Sequence, residues 1–159
     1  TPTGERLWMV VNHFKSKGYG TQAASDARRL VQAKRVREVY ERLRREGETL
    51  IAVVGDLNDS PGSAPLQPLL VETDLRDISQ LPGFQADGHD GTYHNGGARD
   101  KIDYILLSPG LTERMRGAGY WRKGVWGGKN GKLWDIYPEM TKEEQAASDH
   151  AAVWCDIAA

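Results

Sequence analysis

Apolar residues along this chain are concentrated in four short runs, each bounded by polar residues or by a Pro-Gly pair. Runs of this length that are rich in branched and aromatic side chains are typical of buried β-strands. The sequence therefore predicts four strands. They cover residues 6–13, 49–59, 101–110 and 148–157.

A long helix is predicted between the first two strands, over residues 23–46. The segment is rich in residues that favour helices, and Gly47 follows it as a stop. A strand, a helix and a second strand in this order form a right-handed crossover, which makes the two strands parallel or nearly parallel in one sheet. We therefore expect an α/β fold. The apolar positions that recur at helical spacing are Ala27, Val31, Val39 and Leu43.

Two segments in the middle of the chain carry weaker signals. Residues 63–72 predict a short helix that begins at Ser63, although Pro68 is unfavourable within it. Residues 87–100 are rich in Gly, His and Asn, which indicates a loop. This loop leads directly into the third predicted strand.

The glycine-rich segment 117–136 predicts a long irregular excursion in which tryptophans alternate with lysines and an arginine. Such tryptophans can stack on bases while the cations contact phosphates, and Trp126 is the candidate; packing of the tryptophans beneath their own loop is the alternative. After this segment, Thr141 and Glu144 form a capping-box pattern. The pattern predicts a short helix that continues to Ala147.

Composition and charge restrict the function only broadly. The chain has 159 residues, of which 39% are hydrophobic and 27% charged, and its formal net charge is −1. These values indicate one ordinary domain over residues 1–159 and give no basic footprint for long nucleic acid. Cys155 is the single cysteine, which excludes an internal disulfide and a cysteine-based zinc site. No apolar run has the length of a membrane helix, so we expect a soluble protein, either cytoplasmic or exported.

Polar residues suited to catalysis lie at the ends of the predicted strands. Because side chains alternate along a strand, Asp56 and Asn58 lie on one face, and a carboxylate beside an amide can orient a water. His13 ends the first strand, while Asp149 and His150 lie at the start of the last. Taken singly, each acid can be explained as a turn residue and each histidine as a structural one. Their combination at strand ends, where α/β folds bind ligands, predicts a hydrolytic site.

The sequence GDLND at residues 55–59 also fits two other motifs. An EF-hand calcium loop that begins at Asp56 needs Gly at its sixth position and Glu at its twelfth, where this chain has Pro61 and Gln67. Calcineurin-like two-metal phosphoesterases carry GDxxD between a DxH and a GNH motif, but here DxH comes later, at residues 87–89, and GNH is absent. The EF-hand is therefore excluded, and the calcineurin-like enzyme stays an alternative.

Four motifs, taken in their order, resemble those of the endonuclease/exonuclease/phosphatase superfamily, which has the DNase I-like fold. The resemblance implies a four-layered α/β sandwich of metal-dependent phosphoesterases. This chain would supply about half of the sandwich, as one mixed sheet with flanking helices. The motifs are NHFKSK at residues 12–17, GDLND at 55–59, KIDYILLS at 101–108 and SDHAAV at 148–153.

The resemblance also implies roles for individual residues. His150 resembles the histidine that contacts the scissile phosphate, and Asp103 resembles the carboxylate that orients this histidine. Asp56 resembles the residue that aligns or deprotonates the attacking water, and Asn58 the one that binds that water or a phosphate oxygen. His13 resembles a second histidine, near the leaving group.

Contacts to substrate and metal are expected from the same motifs. Lys101 stands where the family commonly has an arginine and is expected to contact phosphate, with Lys15 and Trp126 as further substrate-binding candidates. Asp149 resembles a metal ligand, and the expected ion is Mg²⁺ or Mn²⁺. The expected substrate is a phosphate ester of a nucleic acid, a nucleotide or a phospholipid head group.

The motifs of the family's N-terminal half do not occur before His13. In the family, that half supplies an early Asn or Asp and the Glu that is the principal metal ligand. We therefore expect the sandwich to be completed by a missing N-terminal half or by a second copy of the chain, since a half-sandwich exposes an apolar sheet face. Two functions stay open: a metal-dependent phosphoesterase, and a non-catalytic half-domain that acts as a binding or assembly module.

Overall fold

A computed structural model describes residue 1 and residues 3–159 as seven strands, three α-helices and short 3₁₀ turns. In chain order the strands and helices are β1 (Leu7–His13), α1 (Gln22–Arg45), β2 (Leu50–Asp56), α2 (Gln67–Leu70), β3 (Arg76–Asp77), β4 (Phe84–Gln85), β5 (Asp103–Leu107), α3 (Pro109–Thr112), β6 (Met115–Trp121) and β7 (Ala152–Ile157). The 3₁₀ turns are Ala64–Leu66, Ile78–Gln80, Ala98–Asp100 and Glu143–Gln145.

The strands form two mixed sheets rather than the one mixed sheet expected from the sequence. The first sheet has the order β1-β2-β5-β3, and the second has the order β4-β6-β7. Strands β1 and β2 are parallel, with α1 as their connection, while β5 is antiparallel to β2. The α/β class and the parallel β1–β2 pair are therefore confirmed.

The second sheet was hidden from the sequence because its central strand is rich in glycine. Strand β6 occupies the start of segment 117–136, so the prediction of an irregular excursion is wrong for residues 117–121. A Cβ at Gly119 would lie 3.1 Å from the ring of Trp154, its partner on β7. The glycines of β6 therefore make room for a tryptophan of the neighbouring strand, although glycine usually weakens a strand.

Two short helical predictions have different outcomes. The helix expected over residues 63–72 is confirmed as a 3₁₀ turn followed by α2, with Ser63 at its N-cap. The helix expected from Thr141 is wrong, since the structure has a single 3₁₀ turn there. The side chain that accepts from the backbone NH of Thr141 belongs to Gln145, at 2.7 Å, instead of Glu144.

Helix α1 covers the outer face of the first sheet, while the inner face packs against the second sheet. The buried face of α1 differs from the predicted one, because Ala27 and Val31 are exposed. The buried residues of α1 are Ser25, Arg29, Ala33, Val36, Tyr40 and Leu43.

No helix among residue 1 and residues 3–159 combines the length and the apolarity needed to cross a membrane.

A buried ion pair explains why the spacing of apolar residues predicted the wrong buried face for α1. Arg29 is fully buried, and its Nε donates to Asp59 Oδ2 at 3.0 Å. Burial alone would raise the pKa of Asp59, but the hydrogen bond from Lys17 and the charges of Lys17 and Arg29 hold it below its usual value. Asp59 also accepts from the NH of Ser60 at 3.0 Å. Asp59 thus joins α1 to the segment that follows β2.

We expect Arg29→Met to destabilise the fold by about 3 kcal/mol, because it removes the buried partner of Asp59 and leaves a carboxylate with less compensation. The free energy of unfolding in urea measures this cost. Arg35→Met is the matched control on the same helix, since the Arg35–Glu38 pair is exposed and is expected to contribute about 1 kcal/mol or less. Equal costs for the two variants would contradict this account of the ion pair.

Candidate active site

Three strands of the first sheet bring acidic and basic side chains to one edge. The register pairs His13 of β1 with Asp56 of β2, and Asp56 with Asp103 of β5. Strands β1 and β2 end at this edge and the antiparallel β5 begins there, so the three residues are direct neighbours across the sheet. The site is therefore a consequence of strand order.

The glycine before Asp56 is required by the close approach of β1. Gly55 has a φ of 125°, and a Cβ at this position would lie 1.9 Å from the backbone oxygen of Asn12. Any side chain would force the two strands apart. Gly55, the first residue of the GDLND motif, is thus required by the packing of β1 against β2, independently of any catalytic role.

Asp56 and Asn58 form a closed hydrogen-bonded pair. The backbone NH of Asn58 donates to Asp56 Oδ1 at 2.7 Å, and its Nδ2 donates to Asp56 Oδ2 at 2.8 Å. Nδ2 also donates to the oxygen of Phe14 at 3.1 Å. Burial raises the pKa of Asp56 above its usual value, and the charge of Asp103 adds to this increase. Asp56 is therefore a stronger base than an exposed carboxylate.

His150 and Asp103 form the second pair. His150 Nδ1 lies 2.8 Å from Asp103 Oδ2, and this hydrogen bond raises the pKa of the imidazole. Because the Asp103 carboxylate accepts a hydrogen bond from Nδ1, Nδ1 carries a proton and Nε2 faces the cleft. Asp149 Oδ1 lies 3.9 Å from Nε2. The ring of Tyr93 packs beside the imidazole at a centroid distance of 5.0 Å. The histidine is thus held in one orientation from two sides.

Thr92 is a site residue that sequence reasoning missed. Its Oγ1 donates to Asp103 Oδ2 at 2.6 Å and accepts from the NH groups of Ile102 and Asp103 at 3.1 and 3.0 Å. Thr92 is 1% exposed, although it lies in the loop predicted over residues 87–100. A threonine in a glycine-rich loop carries no local signal of burial, so only the folded structure identifies it.

Asp56, Asn58, Tyr93 and His150 line a cleft of about 450 Å³, while Asp103 and Thr92 lie outside its lining. His13 lies at its edge with a side chain that is 75% exposed, and its Nε2 is 3.6 Å from Asp56 Oδ2. Asp149 is also in the lining, with a side chain that is 68% exposed. The structure therefore brings together six predicted residues. They are His13, Asp56, Asn58, Asp103, Asp149 and His150.

The three predicted substrate contacts lie outside the cleft lining. The Lys15 ammonium donates to the oxygen of Ser16 at 3.0 Å. Lys101 is buried, with its Nζ 3.2 Å from Asp77 Oδ2. Trp126 packs on its own loop: its indole lies so close to Gly131 that a Cβ at that position would be 2.7 Å from the ring. The charged cleft residues not anticipated from the sequence are Lys17, Arg99 and Asp100.

Asp56, Asp103 and His150 also form a group that could bind a metal ion. One ligand atom from each lies within 4.8 Å of the others. However, both oxygens of Asp56 already accept from Asn58, and Asp103 Oδ2 already accepts from two donors. A hard cation prefers six or more oxygen ligands, so this group is at most part of a complete cation site.

Comparison with known proteins places this geometry in a family. A search of curated proteins finds no significant match. Among solved structures, a mannosyl-6-phosphatase from Bacteroides thetaiotaomicron aligns with a TM-score of 0.64 and 20% identity, over 99% of this chain and 53% of that chain. The 3' phosphatase NExo from Neisseria, bound to product DNA hairpin, aligns with a TM-score of 0.59 and 15% identity, over 94% and 60%.

A third solved structure, beta toxin from Staphylococcus aureus, aligns with a TM-score of 0.57 and 16% identity, over 94% of this chain and 52% of that chain. At these identities the three structures establish the DNase I-like fold alone. The chain spans 52–60% of their lengths. Residues 2–122 match the sequence profile described as the Endonuclease/Exonuclease/phosphatase family, and the chain therefore belongs to that family.

Proposed function

We propose that the cleft hydrolyses a phosphate ester by attack of water on phosphorus. The observation that carries the proposal is the His150–Asp103 hydrogen bond at 2.8 Å, in the same cleft as the Asp56–Asn58 pair. A base of raised pKa and an oriented imidazole, with a ligand atom of each within 4.8 Å of the other, suit the transfer of a proton from water and the stabilisation of a phosphate anion. Membership of the family supports the same class of reaction.

In this proposal each side chain has one task. Asp56 accepts a proton from the attacking water, and Asn58 orients that water or a phosphate oxygen. His150, protonated through its bond to Asp103, donates from Nε2 to a phosphate oxygen. His13, at the exposed edge of the cleft, lies near the leaving group and protonates it.

A Mg²⁺ or Mn²⁺ ion is the proposed cofactor, and Asp149 is the proposed ligand from this chain. Its carboxylate is exposed in the cleft and so is available to a cation. When bound, such an ion supplies charge neutralisation at the phosphoryl oxygens. The other ligands would come from outside this chain, because the oxygens of Asp56 and Asp103 are largely engaged in internal hydrogen bonds.

Those further ligands are proposed to come from an N-terminal half of the same domain. Strand β1 is at the edge of its sheet, and three of its side chains expose apolar surface. The solved relatives are longer than this chain by nearly half of their own length, which supports additional strands at this edge. A second copy of the chain is the alternative occupant. The exposed side chains are Leu7, Met9 and Val11, at 43%, 53% and 74%.

The substrate class is proposed as a phosphate carried on a sugar, in a nucleic acid, a nucleotide or a sugar phosphate. Two of the solved relatives are named as phosphatases, one for a mannosyl 6-phosphate and one in complex with product DNA. A phospholipid head group is a further candidate. The family match favours this proposal over the calcineurin-like alternative.

The test is ester hydrolysis by the full-length protein with added Mg²⁺, followed as release of phosphate from the monoesters and as release of the alcohol and the phosphomonoester from the diesters. The panel contains p-nitrophenyl phosphate, bis(p-nitrophenyl) phosphate, a DNA hairpin with a 3'-phosphate, a mannose 6-phosphate and sphingomyelin. We expect metal-dependent turnover of at least one ester, and the preferred ester identifies the class. Absence of turnover for every ester, together with unchanged folding, would favour the non-catalytic binding module instead.

Thr92 is expected to act as a positioning residue for Asp103. We expect Thr92→Val to lower kcat by about tenfold to a hundredfold with little change in KM, because the Asp103 carboxylate loses the donor that fixes it. Thr92→Ser keeps the hydroxyl and is expected to restore most of kcat. Steady-state kinetics separate kcat from KM, and urea unfolding reports any loss of stability. Equal kcat values for the valine variant and the wild type would remove this role from Thr92.

A further inference from the structure

A second cavity adjoins the cleft and shares a wall with it. We call it the lateral cavity; its volume is about 600 Å³, and its lining includes Ser60, Gln80, Phe84, Arg99, Lys101 and Tyr120. The shared wall is the segment 99–102, along which Asp100 and Ile102 line the cleft and Lys101 lines the lateral cavity. Arg99 lines both. A molecule bound in the cleft can therefore extend past Arg99 into the lateral cavity.

One side of the lateral cavity is suited to a ring. Phe84 and Tyr120 meet edge to face there, with their centroids 5.0 Å apart. Ser60 and Gln80 supply neutral polar groups in the same lining. A cavity with an aromatic wall and a few hydrogen-bonding groups suits a sugar or another polar ring better than an extended acyl chain.

The positive charges of the lateral cavity are not equivalent. Lys101 is 4% exposed, and its ammonium is neutralised by Asp77 at 3.2 Å while it lies 4.2 Å from the centre of the Tyr104 ring. Arg99 is exposed and makes no ion pair with any residue that the structure describes. The guanidinium at the boundary of the two cavities therefore has free donors for an anion, and its planar fork matches a phosphate.

We propose that Arg99 and the lateral cavity form a subsite for a second phosphate, joined through a sugar ring to the phosphate in the cleft. The ring packs against Phe84 and Tyr120, and Arg99 binds the second phosphate. The identity of the cleft phosphate rests on the proposed function. The shared chemistry, two phosphates on one sugar, occurs both in the nucleotide units of a nucleic acid and in free sugar bisphosphates.

The test is equilibrium binding to the full-length protein by titration calorimetry without added divalent cation, so that turnover does not consume the probes, with two matched pairs of probes. Thymidine 3',5'-bisphosphate against thymidine 3'-phosphate represents the nucleic-acid source, and fructose 1,6-bisphosphate against fructose 6-phosphate represents the free sugar. In at least one pair we expect the bisphosphate to bind about tenfold more tightly than the monophosphate. This is the gain in affinity expected from one charge-assisted hydrogen bond. The pair with the larger ratio identifies the source.

The ratio is then measured in three variants. Arg99→Ala is expected to reduce the tenfold advantage to about one, and Arg99→Lys to keep part of it, since a lysine retains the charge but not the fork. Arg116→Ala is the matched control, because Arg116 is exposed on β6 and contacts neither cavity. Equal affinities within both pairs in the wild type, or an advantage that persists in Arg99→Ala, would overturn the subsite. Absence of phosphate-ester turnover by the wild type, together with a tenfold affinity ratio that depends on Arg99, would count against the proposed function alone.

Discussion

His150→Ala is expected to lower kcat for the preferred phosphate ester by about a thousandfold, the loss that accompanies removal of a positioned acid or base. Nδ1 is held by Asp103 at 2.8 Å, and this bond raises the pKa of the imidazole, which favours a protonated Nε2 facing the cleft. Alanine removes that donor and leaves Thr92 as the remaining side-chain donor to Asp103 Oδ2. Initial rates under saturating substrate measure the effect.

His94→Asn is the matched control for this variant. His94 has a φ of 33°, a conformation that asparagine tolerates, and its ring contacts Tyr93 at a centroid distance of 5.9 Å without lining the cleft. We expect its kcat to stay within about twofold of the wild type, since the imidazole of His94 lies outside the cleft lining and makes no contact with the reacting groups. A His150→Ala enzyme that keeps wild-type kcat would exclude His150 from the chemistry.

Asp56→Asn is expected to lower kcat by about a hundredfold to ten-thousandfold, because an amide cannot accept the proton of the attacking water. The substitution preserves the size of the side chain, but its NH₂ group meets the donors of Asn58 that now bind the carboxylate at 2.7 and 2.8 Å. Some loss of stability is therefore expected as well. Kinetics are measured without denaturant, at a temperature at which a separate urea unfolding curve shows that the variant is fully folded.

The control for charge is Asp135→Asn, which removes one exposed acid from a loop outside the cleft lining. It is expected to leave kcat within about twofold of the wild type. If Asp56→Asn were to behave like Asp135→Asn, water activation would have to be assigned to another base in the cleft.

Much of the first sheet followed from the sequence. The runs that contain β2 and β5 are rich in apolar residues because both faces of these strands are covered, and such runs are readily recognised. The run that contains β1 is equally apolar, although Leu7, Met9 and Val11 are exposed. The second sheet did not follow, because the glycines of β6 exist to accommodate Trp154 of another strand. The buried face of α1 did not follow either, because Arg29 is buried through contacts with Asp59, thirty residues away, and with the backbone oxygen of Lys15. Both failures come from tertiary contacts that no local pattern encodes.

The six residues of the candidate site were predictable because each lies at or near a strand end within a short motif. The catalytic roles, the metal ligation by Asp149 and the substrate contacts of Lys15, Lys101 and Trp126 stay predictions. Thr92 was not predictable, since its importance arises from a hydrogen bond across eleven residues to Asp103. Arg99 was missed for the same reason: its position between two cavities depends on how the loop before β5 folds.

The central claim is that the cleft binds phosphate between the His150–Asp103 pair and the Asp56–Asn58 pair. The most direct measurement is a crystal structure of the full-length protein with Mg²⁺ and inorganic phosphate. This account predicts a phosphate whose oxygens lie within hydrogen-bonding distance of His150 Nε2 and of the Asn58 side chain. A phosphate that is ordered elsewhere on the protein, with the cleft empty of anion, would contradict it.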